Sequence, residues 1–403
     1  MKKFVVISLL ILLLLIPFSG CTEEKQEYSK HEVDRFISIA GPGYPITYSI
    51  KVPKVINNLE LKTKGGTKVV QQVEYEVVAD SNVVVVNSEK EVADQSGEDC
   101  VIIKDSPNYV YIHGYNLSNQ KHNFKIRYVI RSYRLNWGLD SSDVGDINDI
   151  PEEINNKYCI SQWRVGDLNG DGEMDKLDED ENKNANLDLG EDKDGDGYLD
   201  VNEDLDGNDE WDWRIDPLAD SIVEKANELK GDKTNIYDII KSFYDYLRNN
   251  YRYPNMDEMA FDYYMYSCLP KSALRTMMDG YGDCDDISIL FVSLCRALGI
   301  PAWLECGATF DPSLKQWQPN SWANVWLPLE SGRSVVVCVD PVNQLFIHRD
   351  RNRITEFIDD SGDSIELEEY FTSYTYSHSS TGSQTAKPDY TDTYTYVSYK
   401  RGD

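Results

Sequence analysis

A cysteine stands at the head of an apolar helical stripe, among acids. Residues 279–303 read DGYGDCDDISILFVSLCRALGIPAW. Ile287, Leu290, Phe291, Leu294 and Leu298 recur at helical spacing, and Gly299 and Pro301 end the run. The spacing predicts a helix that begins at Cys284. A thiol there feels the positive end of the helix dipole and exposed N–H groups. Both favour the thiolate, the form that attacks a carbonyl carbon. Asp283, Asp285 and Asp286 act the other way, because their charge raises the thiol's pKa.

A second constellation suits a cation. Asp192, Asp194, Asp196, Gly197, Asp200 and Glu203 fall at positions 1, 3, 5, 6, 9 and 12 of an EF-hand-type loop. Calcium takes six to eight oxygens, and this spacing wraps one chain around the ion. Asp167, Asn169, Asp171, Gly172, Asp175 and Asp178 repeat the pattern. So do Asp180, Asn182, Asn184, Asp188 and Glu191, with Ala185 at the glycine position. Glu173, Asn186 and Tyr198 complete these candidate ligand sets. Asp204, Asp206, Asn208 and Asp212 form a damaged copy, with Asp209 for glycine and Ile215 where the last ligand belongs. The copies follow at intervals of 12 or 13 residues, which leaves no room for flanking helices. They resemble the tandem calcium repeats of thrombospondin type 3 and dockerin-like modules. The resemblance implies structural calcium. Leu168, Met174, Leu187, Leu199, Leu205 and Trp211 space apolar residues through the run, unlike a purely solvated acidic linker.

The Gly-x-Cys that opens an apolar helix ending Arg-Ala-Leu-Gly-Ile-Pro-Ala resembles the transglutaminase-like superfamily. Asp149-Ile150-Pro151-Glu152-Glu153, the segment Tyr251-Arg252-Tyr253 and Val339-Asp340-Pro341 agree with it. The likeness spans residues 145–350, interrupted by the acidic loops. It implies a papain-like α+β core and acyl transfer by a Cys-His-Asp set. On that template Cys284 corresponds to the nucleophile and Asp340 to the orienting acid. The histidine slot departs. Residues 320–328 read NSWANVWLP, so Asn320 stands where the family carries His. An amide has no nitrogen that titrates near neutral pH and cannot serve as general base. Of five histidines, His31, His113, His122, His348 and His378, only His348 is near this region in sequence, as a base that could have migrated. Trp317, Trp322 and Trp326 fall where a cleft would be lined, Trp326 more as core. Two readings follow. One is a non-catalytic surface module that binds peptide or a cell-surface polymer. The other is an active cysteine protease, amidase or protein crosslinker.

These groups need elements to hold them. Alternation such as Phe124, Ile126, Tyr128 and Ile130 against Lys125, Arg127 and Arg131 predicts an antiparallel β-sandwich over 34–142. The core is expected over 143–372, including the loops at 165–216. The stripe Ile236, Ile239, Ile240, Phe243 and Leu247 is helical, and strand-like runs follow at 302–306, 323–327 and 335–339. Residues 22–33 read as a tether, and the Ser/Thr/Tyr-rich 373–403 as a mobile or spacer tail.

Lys2 and Lys3 precede an apolar run that ends Phe18-Ser19-Gly20-Cys21. This reads as a signal segment with a lipobox-like Cys21, or as a plain signal peptide or anchor. Each reading puts the rest of the chain outside the membrane, and the lipidated or uncleaved form would hold it there. There thiols tend to oxidise, and Cys306 with Cys338 is one conceivable pair. A net charge of −30 over 403 residues argues against nucleic-acid partners.

Overall fold

The computed structural model describes residues 27–80, 83–89, 91, 98–106, 109–164, 212–266, 269–311, 315–359, 367, 370–371, 376–379 and 388–401. The signal segment, Cys21, Cys268 and the proposed calcium ligands from Asp167 to Asn208 lie outside the described residues. Among the described residues no helix is long and apolar enough to cross a membrane.

Period-two burial builds the N-terminal half. In β1 (Glu27–Ala40) every second residue from Ser29 to Ile39 is buried. β2 (Ile46–Pro53), β3 (Leu59–Thr63), β4 (Gly66–Ala79), β5 (Val84–Val85), β6 (Cys100–Asp105), β7 (Tyr109–Leu117) and β8 (Lys121–Tyr133) follow, then the short β9 (Leu135–Asn136). They form two five-stranded sheets, completed by two strands from the chain's far end, β18 (Tyr376–Ser379) and β19 (Pro388–Arg401). One sheet runs β19-β1-β8-β4-β3 and the other β18-β2-β7-β6-β5. Val33, Ile37, Ile50, Val52, Ile112 and Ile126 meet between them.

Two boundaries need correction. β1 begins at Glu27, inside the segment expected to be a tether. The expected spacer tail contains β19, which pairs with β1 from Glu27↔Arg401 to Ile39↔Pro388. Thr and Tyr favour strands although they are not aliphatic. An ion pair fixes the strand: Arg35 donates from Nε and Nη2 to the carboxylate of Asp392 at 2.7–3.0 Å.

The second half is α+β. α1 (Glu152–Tyr158) precedes β10 (Gln162–Arg164), which pairs with β11 (Trp213–Ile215). This small ladder brings together the two ends of the acidic segment. α2 (Asp220–Lys230), α3 (Ile236–Asn250), α4 (Met256–Tyr266), α5 (Ala273–Asp279) and α6 (Cys284–Ala297) then lead to a sheet. Its strands are β12 (Ala302–Asp311), β13 (Gln316–Pro328), β14 (Ser334–Asp340), β15 (Leu345–Phe346) and β17 (Arg353–Ile358), ordered β15-β14-β13-β12-β17. β16 (His348–Arg349) pairs instead with β9. α6 is almost wholly buried, with Leu290, Phe291 and Leu294 packed among Leu304, Val325 and Val337.

The halves are stitched together. Gln71 of β4 donates to Thr355 O at 2.8 Å and accepts from Thr355 N at 2.8 Å. His31 of β1 is fully buried, its Nε2 3.2 Å from Arg351 O and its ring edge-on to Trp317. Burial pushes its pKa down from 6.5 to about 4, against the Arg351 carbonyl and Asp350. The unfolded chain therefore binds a proton near pH 6.5 that the folded chain refuses until about pH 4. Stability should fall as pH drops through that window, by about 2–3 kcal/mol. Urea unfolding at pH 7 and pH 4.5 checks this: His31→Gln should lose that much less than the parent between the two. Equal losses would dismiss His31 as the cause.

Candidate active site

α6 starts where the sequence predicts it because its first turn caps itself. Asp283 accepts from Asp285 N at 2.9 Å and Asp286 N at 3.3 Å. Asp286 returns the bond, accepting from Asp283 N at 3.1 Å, which closes a capping box. Gly282 is required beside it, since a Cβ there would sit 2.7 Å from the Asp286 Cβ. Asp286 also accepts from Lys271 N at 2.7 Å. The buried Lys271 Nζ lies 3.1 Å from Asp279, 3.5 Å from Asp262 and 3.8 Å from Asp286. Burial and the charge of Asp283 raise the pKa of Asp286, and Lys271 opposes them.

Cys284 is only 6% exposed. Its thiol lies 3.6 Å from Asp285 Oδ1 and 3.9 Å from Pro319 O, and it is a free cysteine. Burial, then Asp285 and Asp283, push its pKa well above 9, while the Ser321 N–H favours the thiolate. Desolvation thus outweighs the helix terminus. Burial and Asp283 likewise raise Asp285. Asp283, Cys284 and Asp285 bring potential metal-ligand atoms within 4.8 Å of one another, but Asp283 is committed to the cap.

Two of the three template positions meet, and the Cys284 thiol lies against the residue that precedes one of them. Asn320, next in β13 after Pro319, donates from Nδ2 to Asp340 Oδ2 at 3.1 Å. Its Oδ1 accepts from Asn343 Nδ2 at 3.1 Å, and that same Nδ2 reaches Asp340 Oδ2 at 2.9 Å. Asp340 Oδ1 accepts from Asn343 N at 2.9 Å. Arg353 Nη2 makes a short contact with Asp340 Oδ2. Arg353 and Asp340 are both fully buried, and the Arg353 guanidinium lies 4.0 Å from the centre of the Trp322 ring. The acid expected to orient a histidine therefore holds an amide and an arginine.

The described imidazoles sit elsewhere. His31 lies at the junction of the halves. His113 is in β7, stacked on Tyr111. His122 is buried between Tyr48 and Asp99. His348 pairs through its strand with Asn136. Among the described residues none hydrogen-bonds the Cys284 thiol.

Two further sequence expectations change. Cys306 and Cys338 lie in β12 and β14, with β13 between them. Strands two places apart are separated by about 9–10 Å, beyond disulfide reach. Cys306 instead accepts from Ser321 Oγ at 3.2 Å, and Cys338 from Arg353 Nη1 at 3.2 Å. Among the tryptophans, Trp322 rather than Trp326 is the fully buried one, since Trp322 packs among Arg353 and Arg349. Trp326 is half-buried, and Trp317 faces His31 and Phe310. Asp212, the last candidate calcium ligand, is buried just ahead of β11.

Sequence reasoning missed Asn343 and Arg353. Asn343, in Asp-Pro-Val-Asn, had a signal, because a turn led by Asp brings its third following residue back. Arg353 had none, being on a different strand from Asp340.

Residues 223–337 match the family model of the transglutaminase-like superfamily. That stretch contains Cys284 and Asn320, and it forms a transglutaminase-like core. Among the solved structures that resemble the chain are two from bacteria. One, from Cytophaga hutchinsonii, carries a provisional description as a cysteine protease. It aligns over 93% of each chain at 12% identity and a TM-score of 0.42. The other, from Parabacteroides distasonis, is provisionally described as a protease. It aligns over 82% of this chain and 64% of its own, at 11% identity and a TM-score of 0.22. No curated protein matches the chain.

Proposed function

We propose that this protein is an exported, membrane-anchored module whose transglutaminase-like core binds a polypeptide or surface polymer without transforming it. One observation carries the reading. Asn320 places a carboxamide against Asp340, in the position where acyl transfer needs a base. Arg353 supports it by neutralising the carboxylate that would stabilise an imidazolium. The buried thiol of raised pKa supports it further. The test is hydrolysis of simple amides and thiol-reactive esters by the parent and by Cys284→Ala. No difference between the two is expected. Turnover by the parent that Cys284→Ala abolishes would replace this reading with an active cysteine acyl-transfer enzyme.

Calcium belongs to the same proposal, as a structural ion in the loops from Asp167 to Asp212. Without metal the crowded carboxylates repel one another, so ion binding favours the folded insert. A site with calcium at about a hundredfold its Kd adds about 2.7 kcal/mol. Calcium should therefore raise the melting temperature, and a chelator should open 167–216 to protease. An unchanged melting temperature and cleavage pattern would remove the calcium claim. The lipobox-like Cys21 motivates the anchor, which mass spectrometry of the mature N-terminus would test.

A further inference from the structure

Beside Cys284 the molecule leaves apolar side chains uncovered. Tyr253 is 52% exposed, Met256 80%, Met259 46% and Phe261 43%, all in α4 or its approach. Met278 of α5 is 61% exposed and precedes Asp279, which shares Lys271 with Asp262 of α4. The patch adjoins the thiol: the Arg252 carbonyl accepts from Gly282 N at 3.2 Å, two residues before Cys284. Half of Tyr253 is covered, and that desolvation, then the charges of Cys284, Asp283, Asp285 and Asp286 beside it, raises its pKa. α4 is tethered by polar contacts, Arg252 to Glu258 at 2.6 Å and Tyr281 to Asp262 at 3.3 Å. Met256 and Met259, three residues apart, share one face of the helix, next to Tyr253 in its approach. An exposed cluster of methionine and aromatic residues is the kind of adaptable surface that accepts a partner chain.

Charge selects the occupant. Arg252, Lys271 and Arg275 are engaged with Glu258 and Asp279. Asp257, Asp283 and Asp285 have no cation paired with them among the described residues. A second copy of this chain, with a net charge of −30, would be repelled, and so would its own acidic loop segment. We propose that this corner docks a polypeptide segment that is both apolar and cationic, bringing it beside the start of the Cys284 helix. The proposal rests on the reading of the core as a polypeptide-binding module and adds the chemistry of the partner.

The test uses the full chain and a fluorescein-labelled amphipathic Lys/Leu peptide. Lys/Ser and Glu/Leu peptides serve as controls, with binding read by fluorescence anisotropy. The parent should bind Lys/Leu most tightly. Met256→Ser/Met259→Ser should weaken that binding by at least about tenfold, while leaving the melting temperature unchanged. Asp257→Asn/Asp283→Asn should weaken it too and flatten its salt dependence. Because Asp283 also caps α6, Asp257→Asn alone is measured as the variant that leaves the cap intact. Equal binding of Lys/Ser and Lys/Leu would show general attraction to an acidic protein and overturn the proposal. So would indifference to the methionine changes. Anisotropy reads docking and amide hydrolysis reads catalysis, so failure of the docking proposal is told apart from failure of the non-catalytic reading.

Discussion

Asn320→His should make Cys284 reactive. In the parent the thiol pKa lies well above 9. The neutral thiol then dominates at pH 7. Iodoacetamide should leave Cys284 nearly unlabelled at that pH, and its labelling rate should still be rising beyond pH 9. The side chain at 320 already points at Asp340, with the amide nitrogen 3.1 Å from Oδ2. An imidazole there would keep one nitrogen on that oxygen. The Pro319 carbonyl, one residue back, is 3.9 Å from the sulfur, so position 320 lies next to the thiol along the strand. A positioned base is worth about 10²–10⁴-fold. The gain here should be smaller, about ten- to a hundredfold in labelling rate at pH 7, because Arg353 shares Asp340 and disfavours an imidazolium. Rates are read by mass spectrometry of the Cys284 peptide against pH. A parent already labelled rapidly below pH 7, or a variant no faster than the parent, would refute this account of the slot.

Arg353→Met should be the most destabilising single change near the site. Arg353 and Asp340 are both fully buried, and the guanidinium also covers the Trp322 face. Removing one member of a buried pair leaves the other charged and unpaired, at a cost of about 3–5 kcal/mol. Asn320 and Asn343 would still donate to Asp340, which places the expected loss at the lower end of that range. Adding Asp340→Leu should recover part of the loss, since an apolar pair can replace a buried ion pair. Urea unfolding of the two single variants and the double gives the coupling directly. A loss under about 1 kcal/mol for Arg353→Met would mean that the pair is solvated and not buried.

Some of this was legible before any coordinates. Local rules act within a few residues, so the start of the Cys284 helix and its Gly299 stop could be read off. The alternating strands of the sandwich and the helical stripe of α3 were equally legible. The departure at Asn320 needed only the neighbouring Trp322 and Leu327-Pro328 as landmarks. The ends of the chain were misjudged for one reason. β19 pairs with β1 across almost the whole sequence, and pairing at that separation leaves no local trace beyond strand propensity.

The amino-acid order alone determined which chemistry is on offer: a thiol at a helix head, an amide where a base is expected, and carboxylates spaced for calcium. Only the tertiary structure decided the thiol's environment and the partner of Asp340. Desolvation depends on what packs around a group, and a buried charge takes its counterion from wherever the folded chain brings one. Arg353 reaches Asp340 although β13 and β12 stand between β14 and β17 in the sheet, and both groups are buried together there.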